Sequence, residues 1–229
     1  MSRGLFVTGT GTDVGKTYVT SLMVKKLRES GINCGYYKAA LSGAERCSGG
    51  LVPGDAEYVC RISGIRDDPS SLVSYIYEQA VSPHLAAKIE GRDVEKAVIK
   101  ADFKRVCEKF DYVTAEGSGG IVCPLRRDKE SIMLTDVINL LGMDIIIVTN
   151  SSLGSINSAV LTAHYAASHN IRTAGFVMNN YEKGNFLHED NRREIEALTG
   201  VPVIALIAEG GREFSSNIST LKSLYREVL

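Results

Sequence analysis

Residues Gly9 to Thr17 read Gly-Thr-Gly-Thr-Asp-Val-Gly-Lys-Thr, between the apolar run Leu5-Phe6-Val7 and Tyr18-Val19-Thr20-Ser21-Leu22-Met23-Val24. The pattern predicts a glycine-rich loop joining a short buried strand to a helix. Successive backbone N–H groups at a helix N-terminus cradle an anion, and a lysine adds a full positive charge. The hydroxyl of Thr17 beside Lys16 is placed to ligate Mg²⁺. These nine residues therefore point to a nucleoside triphosphate.

The spacing is a variant of the common P-loop. That motif leaves four residues between its first glycine and Gly-Lys-Ser/Thr. Here Gly9 and Gly15 are separated by positions 10 to 14.

Working outward, Leu5–Val7, Tyr112–Thr114, Ile145–Thr149 and Thr173–Met178 are short, apolar, non-alternating runs. Such runs suit strands buried on both faces of a parallel sheet. Cys34–Tyr37 and Val203–Leu206 are weaker candidates. Helical periodicity covers Lys16–Arg28, Val94–Phe110, Ile156–Ser168 and Asp190–Leu198. Gly31, Gly142, Asn170 and Gly200 read as helix stops. The alternation predicts an α/β fold with a doubly wound, mostly parallel sheet, in one domain spanning 1–229. In such sheets ligands sit at the carboxyl ends of the strands. The stretch Ala39–Pro69, rich in glycine, serine and charge, is expected to be a long loop over the phosphate site. Its one helical pattern is Asp55–Ile62.

The chain has 229 residues, 44% of them hydrophobic, enough for a substantial core. Lys+Arg is 26 and Asp+Glu is 27, a net charge of −1. That balance favours neither nucleic acid nor an anionic membrane as a partner. Cys34, Cys47, Cys60, Cys107 and Cys123 are widely spaced, odd in number and free of any Cys-x-x-Cys, so a reducing cytoplasm is expected. All five read as small buried hydrophobes, with Cys123 the one to inspect as a thiol nucleophile. No signal peptide is expected, and Ile145–Val148, the longest apolar run, is far too short to span a membrane.

Polar clusters fall just after the strands. Lys38 ends the second strand, where it could neutralise charge in phosphoryl transfer or simply be solvated. Asp55 after Pro53-Gly54 is either an N-cap or an Mg²⁺ ligand. Glu116 ends a strand and precedes Gly117-Ser118-Gly119-Gly120, where P-loop enzymes place a metal carboxylate; the alternative is a surface glutamate before a turn. Asn150–Asn157 opens a helix and could form a cap or a second anion site. Asn179-Asn180 could read a nucleobase edge or make a turn. Ser82-Pro83-His84 reads as a helix start, with His84 structural.

Together these motifs resemble the dethiobiotin synthetase family, ATP-dependent carboxylases that act before the last step of biotin synthesis. The resemblance rests on Gly9–Thr17, Tyr37-Lys38…Ser42-Gly43, Gly54-Asp55-Ala56, Ser82-Pro83-His84, Glu116–Gly120 and Leu153-Gly154-Ser155-Ile156-Asn157. It covers nearly the whole chain, and the five-residue gap in the P-loop is this family's own pattern. The resemblance implies carboxylation and ring closure of 7,8-diaminononanoate with CO₂ and ATP, through a carbamate and its phosphoric anhydride. It assigns Lys16 and Lys38 to the γ-phosphate and Thr17, Asp55 and Glu116 to Mg²⁺. ATP would also meet Thr12, Asp13, Val14, Gly15, Gly117, Ser118, Gly119, Asn179 and Asn180. Thr12 and Ser42 would contact the diamine or carbamate. A homodimer with a shared active site is implied, Leu153, Gly154, Ser155, Ile156 and Asn157 of one subunit binding the substrate carboxylate of the other. The chain departs from many members in Leu206-Ile207-Ala208-Glu209-Gly210-Gly211, where they carry Ile-Pro and apolar residues near the base.

The main rival is a P-loop switch ATPase of the partitioning or site-placing type. Those proteins carry a lysine five residues before the P-loop lysine, and that position here is Gly11. They also need a basic or amphipathic tail, whereas Leu221–Leu229 reads as core packing. Amidating synthetases acting on cobyrinate carry an added glutaminase domain for which this length leaves no room. A plain nucleotide kinase does not account for Lys38…Ser42 or Leu153–Asn157.

Overall fold

A computed structural model describes residues 1–228. In chain order the elements are β1 (Ser2–Gly9), α1 (Lys16–Glu29), β2 (Cys34–Leu41), β3 (Glu45–Cys47), β4 (Gly50–Val52) and α2 (Gly54–Ser63). There follow β5 (Val73–Ile76), α3 (Pro83–Glu90), α4 (Lys96–Lys109), β6 (Tyr112–Glu116), β7 (Pro124–Arg127), β8 (Ser131–Met133) and α5 (Leu134–Leu141). The chain closes with β9 (Ile145–Asn150), α6 (Ser155–Ser168), β10 (Thr173–Asn179), α7 (Phe186–Thr199), β11 (Val203–Ile207), α8 (Ile218–Ser223) and β12 (Arg226–Val228).

The sheet order is β11-β10-β9-β1-β6-β2-β5, and these pairings are parallel. The doubly wound α/β expectation is therefore correct. All eight residues of β2 are buried, as are six of the eight in β1, because helices cover both faces. β1 sits at the centre, so the P-loop at its carboxyl end opens between β6 on one side and β9 on the other. All six expected strands form, and Gly31, Gly142, Asn170 and Gly200 each adopt the left-handed backbone of a helix stop.

The Ala39–Pro69 expectation is corrected. β2 runs on to Leu41 and an antiparallel hairpin of β3 and β4 follows, where a loop was expected, whereas the expected helix over Asp55–Ile62 forms as α2 (Gly54–Ser63). The hairpin is held by three cross-strand pairs and by Arg46, whose guanidinium grips Glu78 with Nε at 3.0 Å and Nη2 at 2.6 Å. Neither partner was visible from local pattern. β5, the β7–β8 hairpin, α5 and β12 also went unpredicted as elements, being three to eight residues long. β12 pairs antiparallel with the start of β1. Arg226, its first residue, and Arg172 each reach the buried carboxylate of Asp144 at 2.6 Å. Leu221, Tyr225 and Val228 are buried, in line with core packing, whereas Leu229 lies outside the described residues. Ser82 occupies the N-cap position of α3 with Pro83 next to it, although the serine side chain makes no capping bond.

Candidate active site

Gly15 caps α1 with φ of 93°, a left-handed conformation. A Cβ there would also run into the side-chain amide of Asn179. Asn179 sits at the end of β10, buried, and its Nδ2 donates to the carbonyl of Val14 at 3.1 Å. Ser151 Oγ donates to the Asn179 carbonyl at 3.0 Å, and the buried Asn191 of α7 donates to the carbonyls of Ser151 at 2.8 Å and Ser152 at 3.1 Å. The P-loop is thus braced from behind by a chain of buried amides and hydroxyls reaching back to α7. Lys16 folds over the loop, its Nζ 2.7 Å from the carbonyl of Gly11.

The floor of the site is an ion cluster. The parallel register of β2 and β6 sets Lys38 directly opposite Glu116. Lys38 Nζ lies 2.6 Å from Asp55 Oδ2, 2.8 Å from Glu116 Oε1 and 3.3 Å from the Gly117 carbonyl. Thr17 Oγ1 donates to the same Glu116 oxygen at 2.8 Å. Lys38 is therefore no solvated strand-end lysine, and Glu116 no surface residue; their side chains are 4% and 1% exposed. Asp55 is the second residue of α2, not its cap, and its carboxylate turns to Lys38. The hydroxyl of Tyr36 donates to the other Glu116 oxygen, Oε2, at 3.2 Å.

Burial and the neighbouring Lys38 charge hold the Lys16 ammonium below the ordinary lysine value. For Lys38, burial acts in the same direction, but the charges of Glu116 and Asp55 and their hydrogen bonds outweigh it, so its pKa is raised. Burial would raise Asp55; Lys38 and the hydrogen bonds from Lys38 and Thr17 reverse that and leave it below the usual carboxylate range. Burial, followed by the Glu116 charge, pushes the Tyr36 phenol well above its ordinary value, so it stays a donor.

A cleft of 680 Å³ opens over this floor. Thr12, Asp13, Gly15, Lys16, Thr17, Lys38, Ser42, Asp55, Glu116, Gly117, Ser118 and Gly119 all line it. Ser118 is pinned through its Oγ to the Ala40 carbonyl at 2.5 Å. Gly120 brings its backbone close to the P-loop: a Cβ there would sit 3.6 Å from Gly11 Cα. Val14 is buried beneath the loop, and Asn180 is an exposed turn residue with φ of 55°. Leu153, Gly154, Ser155, Ile156 and Asn157 form the start of α6 and do not line this cleft. Leu153 is 86% exposed.

Tyr18, Tyr58 and Leu41 also line the cleft and were not anticipated. Tyr58 could have been found, since it follows Asp55 by one helical turn. Tyr36 could have been found as well, two residues before Lys38 and thus on the same face of its strand. His84 is half-buried with Nδ1 unpartnered among the described residues. Cys123 is buried, and burial pushes its thiol up to about 11, which favours the packing reading over the nucleophile. Cys34 and Cys60 are likewise buried, but Cys107 is only half-buried and Cys47 at the hairpin tip is exposed, which corrects the expectation for those two residues.

Thr17, Asp55 and Glu116 offer only oxygen donors clustered beside Lys16, a set that fits Mg²⁺. Among the described residues no group of three or more His, Cys, Asp or Glu could hold a metal alone. The remaining ligands would have to come from phosphate oxygens and water, as Mg²⁺ usually demands.

The AAA domain family model matches residues 3–209. An ATP-dependent dethiobiotin synthetase of Clostridium botulinum strain Alaska E43 is 49% identical over 225 residues, 98% of this chain and 99% of the relative. The chain belongs to the dethiobiotin synthetase family. A second dethiobiotin synthetase, from the Loch Maree strain, is 50% identical over the full length of both chains. A third, from strain Eklund 17B, is 53% identical over 89% of each. Among solved structures, the MinC:MinD cell division protein complex of Aquifex aeolicus matches with a TM-score of 0.57 and 14% identity, over 91% of this chain and 82% of that one. A ParA family ATPase of Chlorobium tepidum gives 0.57 and 14%, over 98% and 90%. Those likenesses show the fold alone and nothing of the chemistry. Among the described residues, no helix is long and apolar enough to cross a membrane.

Proposed function

We propose that this cleft performs the ATP-dependent carboxylation and ring closure of 7,8-diaminononanoate with CO₂, releasing dethiobiotin, ADP and phosphate. The observation that carries the reading is the placement of Lys38, a buried ammonium between Asp55 and Glu116 and in the same cleft as Lys16. A carbamate formed from one amine and CO₂ must attack the γ-phosphate, yet both are anions. Two ammonium groups in one partly enclosed cleft offset that repulsion and align the attack. Residues 13–17 wrap the phosphates through backbone N–H groups. Lys16 leaves the Gly11 carbonyl to meet the β- and γ-phosphates, and Lys38 leaves its carboxylates for the γ-phosphate and carbamate. Thr12 and Ser42 hold the diamine or carbamate. The second amine then displaces phosphate to close the ureido ring. Thr17, Asp55 and Glu116 would hold Mg²⁺, which would supply positive charge to the phosphate oxygens. Asn179 and Asn180 flank the base.

The chain acts as one domain over 1–229, in the cytoplasm, as a homodimer. The exposed Leu153 and the start of α6, outside their own cleft, are the parts that would complete a partner's cleft and bind the diamine carboxylate. The deciding assay measures ADP release with the diamine and bicarbonate omitted in turn. Release that ignores the diamine would sink this reading. Sedimentation velocity tests the dimer, which Leu153→Asp should dissociate.

A further inference from the structure

Glu116 presents its two oxygens to different surroundings. Oε1 faces the cleft, where Lys38 Nζ and Thr17 Oγ1 each reach it at 2.8 Å. Oε2 faces inward and takes a hydrogen bond from Tyr36 at 3.2 Å. Tyr36 is fully buried on β2, two residues from Lys38, and does not line the cleft. Ligand binding that draws Lys38 toward phosphate and Thr17 toward the cation would remove both present partners of Oε1. Tyr36 does not line the cleft, so its bond to Oε2 is the one a ligand there would leave in place. The terminal torsion of a glutamate is broad and roughly two-fold, so without that bond only packing would set the orientation of the carboxylate.

We infer that Tyr36 is a positioning residue for the divalent cation: it fixes Glu116 so that Oε1 alone is presented at the P-loop. This rests on the reading of Glu116 as a metal-ligating carboxylate. An anchored, one-oxygen ligand suits a small octahedral ion such as Mg²⁺. A freely turning carboxylate can offer both oxygens, which suits the larger and more adaptable Ca²⁺. Hydrogen-bond partners of metal ligands typically account for about 10–100-fold in affinity. A single bond at 3.2 Å from a neutral donor belongs at the lower end, about tenfold.

The test uses the full chain with ADP and reads Mn²⁺ binding by the loss of the free-ion paramagnetic resonance signal. Wild type, Tyr36→Phe and Glu116→Gln are compared, with Ca²⁺ and Mg²⁺ as competitors. Tyr36→Phe should weaken Mn²⁺ binding about tenfold and shift the competition toward Ca²⁺, with metal-free ADP affinity unchanged. A purely structural tyrosine would lower thermal stability without moving the Ca²⁺/Mg²⁺ preference. Unchanged metal binding and preference in Tyr36→Phe, with binding lost in Glu116→Gln, would overturn the role of Tyr36. Unchanged binding in both would instead overturn the metal reading of Glu116 and the inference built on it. Should Tyr36→Phe not fold, Tyr36→Leu, which also lacks the hydroxyl, is read against the same outcomes.

Discussion

Lys38 and Glu116 face each other across β2 and β6 in an ion pair of 2.8 Å, with almost no solvent contact. Without ligand, the protein supplies its own cation to the carboxylates and its own carboxylates to the lysine. Binding of phosphate and metal therefore exchanges partners within a charged cluster that is already assembled.

That exchange makes Lys38→Ala a different experiment from the one a strand-end lysine suggests. A solvated lysine could be removed without harm to folding. Removing this one leaves the buried Glu116 and the part-exposed Asp55 unpaired, which should cost stability by about 3 kcal/mol, the lower end of the range for a broken buried pair. Urea denaturation should show the loss, and ADP with Mg²⁺ should recover part of it. Turnover should fall by about two to three orders of magnitude, as for loss of one electrostatic contact to a transition state.

Nucleotide affinity should weaken at alkaline pH sooner than an ordinary lysine would dictate. Burial and the Lys38 charge depress the Lys16 pKa, and only the protonated form attracts phosphate. ADP affinity, measured by calorimetry, should decline as pH rises through that depressed value, below 10.5. Lys16→Met should bind weakly and lack that decline.

Asp55 gives the acid limb its sign. Its folded pKa is lowered, so its contribution to stability is present above its unfolded value of 3.8 and is lost as pH falls through the folded one. Lys38 has the opposite sense: its raised pKa gives stability that is full below 10.5 and is lost as pH rises through the folded value. Thermal melts of Asp55→Asn should therefore show a shallower acid dependence than wild type.

Gly15→Ala should be severe for two separate reasons. The backbone there is left-handed, and the new methyl would meet the Asn179 amide. The strain alone is about 1–2 kcal/mol, and displacing Asn179 frees the Val14 carbonyl it holds. ADP binding should be lost or reduced more than tenfold. Adding Asn179→Ala should relieve the collision but not the backbone strain, so recovery should be partial.

Much of the molecule is legible from local pattern. Gly9–Thr17, the non-alternating apolar strands and the left-handed helix stops follow from properties of a few consecutive residues. They dictate a doubly wound sheet and a phosphate loop at its centre, and the residues just after strands supply most of the cleft lining. The hairpin of β3 and β4 escaped because its cross-strand pairs and its Arg46–Glu78 tie join residues that no periodicity links. The same holds for β12, held to β1 across nearly the whole chain and to Asp144 from 82 residues away.

The identity of the site residues was thus available from sequence, but their state was not. Asp55 could be a cap or a ligand, and Lys38 a solvated or a buried charge, with no change in the letters around them. Only the register of β2 against β6, and the packing of α2 over them, bring Lys38, Asp55, Glu116 and Tyr36 within hydrogen-bond reach. Sequence periodicity specifies which face a residue lies on. Burial, partner choice and the resulting shifts in proton affinity depend on charges that are distant in the chain and adjacent only once the sheet has closed.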